Sequence, residues 1–177
     1  VKIFPVPYTL GEINENIFTY NDNNKASKEQ IINQALKFHS QGNISEAAKY
    51  YKYFIDQGFN DLNVFSNYGA ILTDIGKPKE AESITRKAIA LDPNFPNAHS
   101  NLGAMLRDLG RLKEAETSTR KAIELNPKFA NAYANLALIL KDLGKLNEAE
   151  VSIRKAIEFN PDDVEAHSNL GAILIEL

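Results

Sequence analysis

Between residues 62 and 163 the apolar positions fall at spacings of three and four, then break, then resume, in runs of about fourteen residues. His99, Leu102, Gly103 and Leu106 stand at i, i+3, i+4 and i+7, which is one stripe of a helix. Ala115, Ile123 and their neighbours form a second stripe after "DLGRL", where Gly110 permits a left-handed turn at little steric cost. Pro127 cannot continue a helix and stops the second run. The pattern predicts two antiparallel helices joined by a tight turn, with no run that alternates at the period of a strand.

The pair then recurs. "AESITRKAIALDP" (81–93), "AETSTRKAIELNP" (115–127) and "AEVSIRKAIEFNP" (149–161) start 34 residues apart, as do "SNYGAILTDIG", "SNLGAMLRDLG" and "ANLALILKDLG". A helix–turn–helix unit of this period cannot bury its apolar stripe alone, so neighbours must stack. The repeats run 28–61, 62–95, 96–129 and 130–163, with a partial fifth over 164–177 and an irregular leader over 1–27. Ser27 followed by Gln30 is a capping-box pattern at the first helix. The first repeat departs from the others, carrying Phe54 where they have Ala88, Ala122 and Ala156. It also has Phe59 where they have proline, leaving Gly58 to make the break.

These residues resemble the tetratricopeptide repeat (TPR) family over roughly 28–177. The resemblance rests on the small residues Ala35, Gly69, Gly103, Ala137 and Gly171, and on the turn glycines Gly42, Gly76, Gly110 and Gly144. It rests also on Ala47, Ala81, Ala115 and Ala149 and on the closing prolines Pro93, Pro127 and Pro161. It implies an all-α, right-handed solenoid of stacked helix hairpins, whose first helices line a concave groove that takes a peptide or partner segment.

Angular division of the third repeat's first helix turns His99, Leu102, Gly103 and Leu106 to its own hairpin, and Ala98, Met105 and Leu109 to the neighbouring repeat. Asn97, Ser100, Asn101, Ala104, Arg107 and Asp108 remain on the arc the resemblance assigns to the groove. Along the chain this arc yields a column of Asn33, Asn67, Asn101, Asn135 and Asn169. An acidic column of Asp74, Asp108 and Asp142 runs beside it, continued by Glu176. Ser66, Ser100, Ala134 and Ser168, with Ala70, Ala104 and Ala172, are small and are expected to leave an open channel.

A carboxamide both donates and accepts, so an Asn column can hold a peptide by its main chain. The column is similar to the asparagine ladder in the TPR arm of O-linked N-acetylglucosamine transferases, and that likeness implies peptide-backbone binding. Two further readings stand beside it: the amides bridge neighbouring helices, or recent duplication merely copied them. The aspartates either meet basic or hydroxyl-bearing ligand groups or solvate the groove. Arg107 and Lys141, each preceding an aspartate, add ligand contact or local pairing. Arg86–Lys87, Arg120–Lys121 and Arg154–Lys155 belong to second helices and read as a solvated convex face. The groove holds too few cations for the carboxylate clamp of chaperone-adaptor TPRs.

Composition narrows the function. The net charge of -3 gives no basic face for nucleic acid. No apolar run is long enough for a bilayer, "VKIFPVPYTL" is a poor signal peptide, and cysteine is absent, all of which fits a cytoplasmic location. No catalytic, metal or cofactor motif is present. His99 and His167 stand where Phe65 and Tyr133 do and read as half-buried aromatic substitutes, while His39 falls on the groove arc. The leading expectation is a non-catalytic module binding a protein or peptide in its groove. The resemblance also implies a substrate-recruiting arm of a larger bacterial glycosyltransferase or sulfotransferase. A third expectation is self-association through the apolar last helix, with Leu170, Ile173, Leu174 and Leu177.

Overall fold

The computed structural model describes residues 27–177, so the leader expected over 1–27 lies, apart from Ser27, outside the described residues. Nine helices follow among them: α1 (Lys28–Ser40), α2 (Ile44–Asp56), α3 (Leu62–Asp74), α4 (Pro78–Leu91), α5 (Pro96–Asp108), α6 (Leu112–Leu125), α7 (Ala130–Asp142), α8 (Leu146–Phe159) and α9 (Val164–Glu176). Odd-numbered helices are the first members of the hairpins and even-numbered ones the second. Ser27 and Gln30 form the expected capping box, with Gln30 N donating to Ser27 Oγ at 3.2 Å and Ser27 N to Gln30 Oε1 at 2.9 Å.

Each hairpin turns on a glycine at positive φ, Gly42, Gly76, Gly110 and Gly144 lying between 72° and 76°. The amide after the glycine reaches back to the end of the first helix, as Arg111 N does to Leu106 O at 2.8 Å. In the first repeat Gly58, at 78°, replaces the proline break.

Within a hairpin, Leu102 and Leu106 pack on Ala115. Between hairpins, Ala98 of α5 packs with Phe65 and Ala88 of the preceding repeat. Thr85 Oγ1 of α4 lies 3.4 Å from Met105 Sδ. The core is therefore a line of nearest-neighbour contacts, as expected for a solenoid. His99 is half-buried as expected, whereas His167 is exposed; the Nε2 of each lies within 2.9 Å of the carbonyl of Pro93 or Pro161 six residues earlier and ties the inter-repeat loop to the helix start.

The arginines of the basic pairs on the second helices are paired with acids. Arg86 meets Glu82, Arg120 meets Glu116 and Arg154 meets Glu150, each at 2.8 Å. Glu82 also takes Arg111 of the next repeat at 2.8 Å, and Glu116 takes Lys145 at 2.9 Å. Burial pushes the Glu82 carboxyl upward, but hydrogen bonds from Arg86 and Arg111 outweigh it and hold the group below the usual glutamate range. Exposed pairs of this kind contribute about 0–1 kcal/mol each, so they tune the stacking rather than drive it.

Candidate binding face

Successive first helices touch one another, α3 on α5, α5 on α7 and α7 on α9, while the second helices make no comparable contacts among themselves. A stack whose first helices are closer than its second helices curves with the first helices inside. The inner face is thus built from the arc expected to carry function.

That arc is not an open channel. Asn67, Asn101 and Asn135 are buried, with 0%, 5% and 6% of their surface exposed, as are Ser66, Ser100, Ala70 and Ala104. Asn101 Nδ2 donates to Ser66 Oγ at 3.0 Å and Asn135 Nδ2 to Ser100 Oγ at 3.2 Å. Each amide therefore bonds to a hydroxyl 35 residues earlier, on the preceding first helix. Small side chains at 66 and 100 bring those hydroxyls within reach, and a buried amide strongly favours such a partner over none. The expected open channel is corrected to a row of inter-repeat clasps over the central repeats.

The clasp fails at both ends of the column. Asn67 has Ile32 thirty-five residues back, a residue that offers no hydroxyl, and its side chain interacts instead with the Tyr51 phenol. Burial drives that phenol up to about 12 against this interaction, and His39 Nδ1 lies 3.3 Å from its oxygen. Asn169 faces Ala134. Asn33 and Ser168 are exposed, and Asn169 is half-buried.

The acidic column stays at the surface: Asp74, Asp108, Asp142 and Glu176 are all exposed. Its pairing also steps one repeat forward. Arg107 bridges to Asp142, and Lys141 to Glu176 at 2.7 Å, so neither cation pairs with the aspartate beside it. Adjacent helix residues point apart, whereas the same face of the next helix lies opposite. His39 stands in the same relation to Asp74. Burial lowers the His39 pKa, and the Asp74 charge partly restores it; burial also raises that of Asp74. Thr73 breaks the series by bonding back to Gly69 O at 3.1 Å, which leaves Asp108 without a cation from the preceding repeat.

A cavity opens between α7 and α9, lined by Asn131, Ala134, Asn135, Leu138, Asp163 and Asn169 among others. Asn131 stands 34 residues after Asn97 on the same arc, and Leu138 stands where the second and third repeats have Ala70 and Ala104 and the first has Leu36. Among the described residues, no helix is long and apolar enough to cross a membrane.

Models of the tetratricopeptide repeat match residues 62–95, 96–129 and 130–163, together more than half of the chain. No curated protein matches the chain significantly. Among solved structures it is similar to MamA from Desulfovibrio magneticus RS-1, with 23% identity, 84% of each chain covered and a TM-score of 0.70. It is also similar to YrrB, a TPR protein with an unusual peptide-binding site, at 22% identity over 80% of this chain and 73% of that one, with a TM-score of 0.68. The first TPR of Spaghetti, bound to an HSP90 peptide, shares 26% identity over 65% of this chain and 91% of its own, with a TM-score of 0.61. On its repeats, its hairpin geometry and these matches, the chain belongs to the tetratricopeptide repeat family.

Proposed function

We propose that the array is a protein-interaction module that holds an extended segment of a partner along its inner face. The observation that carries this reading is the stacking of first helices from α3 to α9, which lines up amides and carboxylates at the repeat spacing on one surface. A rigid, curved scaffold with polar groups at fixed intervals matches an extended chain better than a compact ligand. The Spaghetti repeat, similar in fold and bound to a peptide, supports the same reading. The contacts come from the parts of the arc left accessible: Asn131, Leu138 and Asn169 toward α9, and the exposed carboxylates Asp74 and Asp108. The buried Asn67, Asn101, Asn135, Ser66 and Ser100 hold the face in shape.

A photocrosslinking residue at Asp108 or Asn131 is expected to capture a partner from an extract of the source cells, while one at Lys87 or Arg154 of the outer face is not. Capture from the outer positions alone would overturn the reading.

A second reading concerns α9, where Leu174, Ile175 and Leu177 are 46%, 87% and 53% exposed. An apolar row of this kind favours association. We infer that this chain self-associates through it, so its sedimentation coefficient rises with concentration and falls back when Ile175 and Leu177 are changed to Lys. A concentration-independent monomer excludes this.

A further inference from the structure

Leu170, Leu174 and Leu177 stand at i, i+4 and i+7 on α9, one stripe of the helix. In α7 the matching stripe is closed by α8: Leu136 and Leu140 pack with Ala149 and Ile153 and are 3% and 1% exposed. In α9 it stays open, with Leu174 46% and Leu177 53% exposed. A helix with such a stripe docks by laying it into an apolar groove. A groove of that character lies on the outer face, between α6 and α8 and over α7. Its volume is about 450 Å³, and Ile123, Tyr133, Leu136 and Val151 form its apolar lining. Val151, 64% exposed, stands where the second and third repeats have Ser83 and Thr117, and Tyr133 where the third has His99. The Tyr133 ring is braced by Phe159, with centroids 5.6 Å apart. The walls α6 and α8 have 14 residues each and α9 has 13. All three are about 20 Å long, so α9 fits the groove end to end.

Charge favours the same pairing. Arg120 and Lys155 flank the groove, while Glu124 on the same wall is held by Lys121 at 2.7 Å. The pairs of Arg120 with Glu148 at 3.1 Å and of Lys155 with Glu158 at 3.4 Å are exposed and exchange at little cost. Residues 160–177 carry Asp162, Asp163, Glu165 and Glu176 and no lysine or arginine. Two α9 helices facing each other across a two-fold axis would set these acids against one another, whereas the groove sets them beside cations.

We propose that α9 of one copy lies in the α6–α8 groove of a second copy of this chain, with Leu174 and Leu177 against Val151 and Tyr133. The proposal rests on the self-association reading above and adds the surface that receives α9. The two surfaces belong to different helices, so the contact is heterologous. Each chain then carries one inserting and one receiving surface, and two chains damaged at different surfaces complement each other.

The test uses the whole chain in two altered forms. Val151→Glu puts a carboxylate into the groove, and Leu174→Gln with Leu177→Gln removes the apolar stripe of α9. All three positions are exposed, so helicity and melting are expected to stay as in the unaltered chain. Sedimentation velocity at rising concentration reads the outcome. Each form alone is expected to associate at least about tenfold more weakly than the unaltered chain. An equimolar mixture of the two forms regains association as a one-to-one complex, because one partner keeps an intact groove and the other an intact α9. Lys155→Glu, on the groove rim, replaces Val151→Glu if that form fails to fold. Where the unaltered chain associates, undiminished association of the folded groove variant, or a mixture that stays monomeric, overturns the groove and leaves self-association through α9 standing. An unaltered chain that is monomeric at every concentration overturns both.

Discussion

Replacing Phe54 by alanine is expected to destabilise the array by about 3–5 kcal/mol, the usual range for emptying a buried phenylalanine site. A reading by repeat consensus predicts the opposite, since Ala88, Ala122 and Ala156 occupy the equivalent place. The packing decides between them. Phe54 is wholly buried in the cluster of α1, α2 and α3 that includes Ile31, Ala35, Ala47 and Val64. Its ring lies 5.2 Å from that of Phe59, which stands where the later loops have proline, and Lys28 Nζ sits 5.8 Å from its centroid. Phe54 and Phe59 thus fill together a space that later repeats close in another way, and alanine alone would leave a hole. Chemical denaturation measures the loss. Hydrogen exchange should localise it to α1 and α2, because stability in a stack is carried between neighbours. Unchanged or greater stability would show that the first repeat tolerates the consensus residue.

Gly103→Ala is expected to cost up to about 2 kcal/mol, the net of the packing and propensity effects, although glycine is normally a poor helix residue. A Cβ at this position would overlap Thr119 Oγ1 and lie 3.2 Å from Ala115 O. Overpacking of this kind costs about 1–3 kcal/mol, against a gain of about 1 kcal/mol in helix propensity. The fourth repeat shows how the chain itself resolves the conflict, with Ala137 and Ile153 in place of Gly103 and Thr119. The hydroxyl of Thr119 is buried without a hydrogen-bond partner among the described residues, so losing it carries little penalty. Gly103→Ala with Thr119→Ile should therefore recover most of the loss, and the double-mutant cycle measures the coupling. Gly171→Ala provides the contrast. Nothing lies within 4 Å of the place its methyl group would take, and a gain of up to about 1 kcal/mol follows from propensity alone.

Much of the fold is legible because a repeat states its local rules several times. The turn at Gly110, the stop at Pro127 and the stripe through Leu102 and Leu106 depend on backbone preference and helical period, which one sequence suffices to reveal. The atypical first repeat is legible too, as a substitution at Phe54, but the way Phe54 and Phe59 share one space is not. The arc of the first helices follows from sequence position, since each residue advances a helix by a fixed angle. Whether that arc is open cannot be read from the same arithmetic. An angle assigns Asn101 to a face but says nothing of the distance to Ser66, which is 35 residues away in the chain and 3.0 Å away in space. Arg107 likewise stands beside Asp108 in the chain and reaches Asp142 instead.

By itself the sequence determined the repeat length, the hairpin, the small residues between paired helices and the helix face on which the polar columns lie. These are consequences of helical periodicity and of φ preferences, both local to a few residues. Only the tertiary structure decided which amides are spent on Ser66 and Ser100, that Asn169 faces an alanine across a cavity, and that Arg107 and Lys141 reach the next repeat's carboxylates. Those outcomes depend on the separation between helices of successive repeats, and that separation is set by the packing of the whole stack.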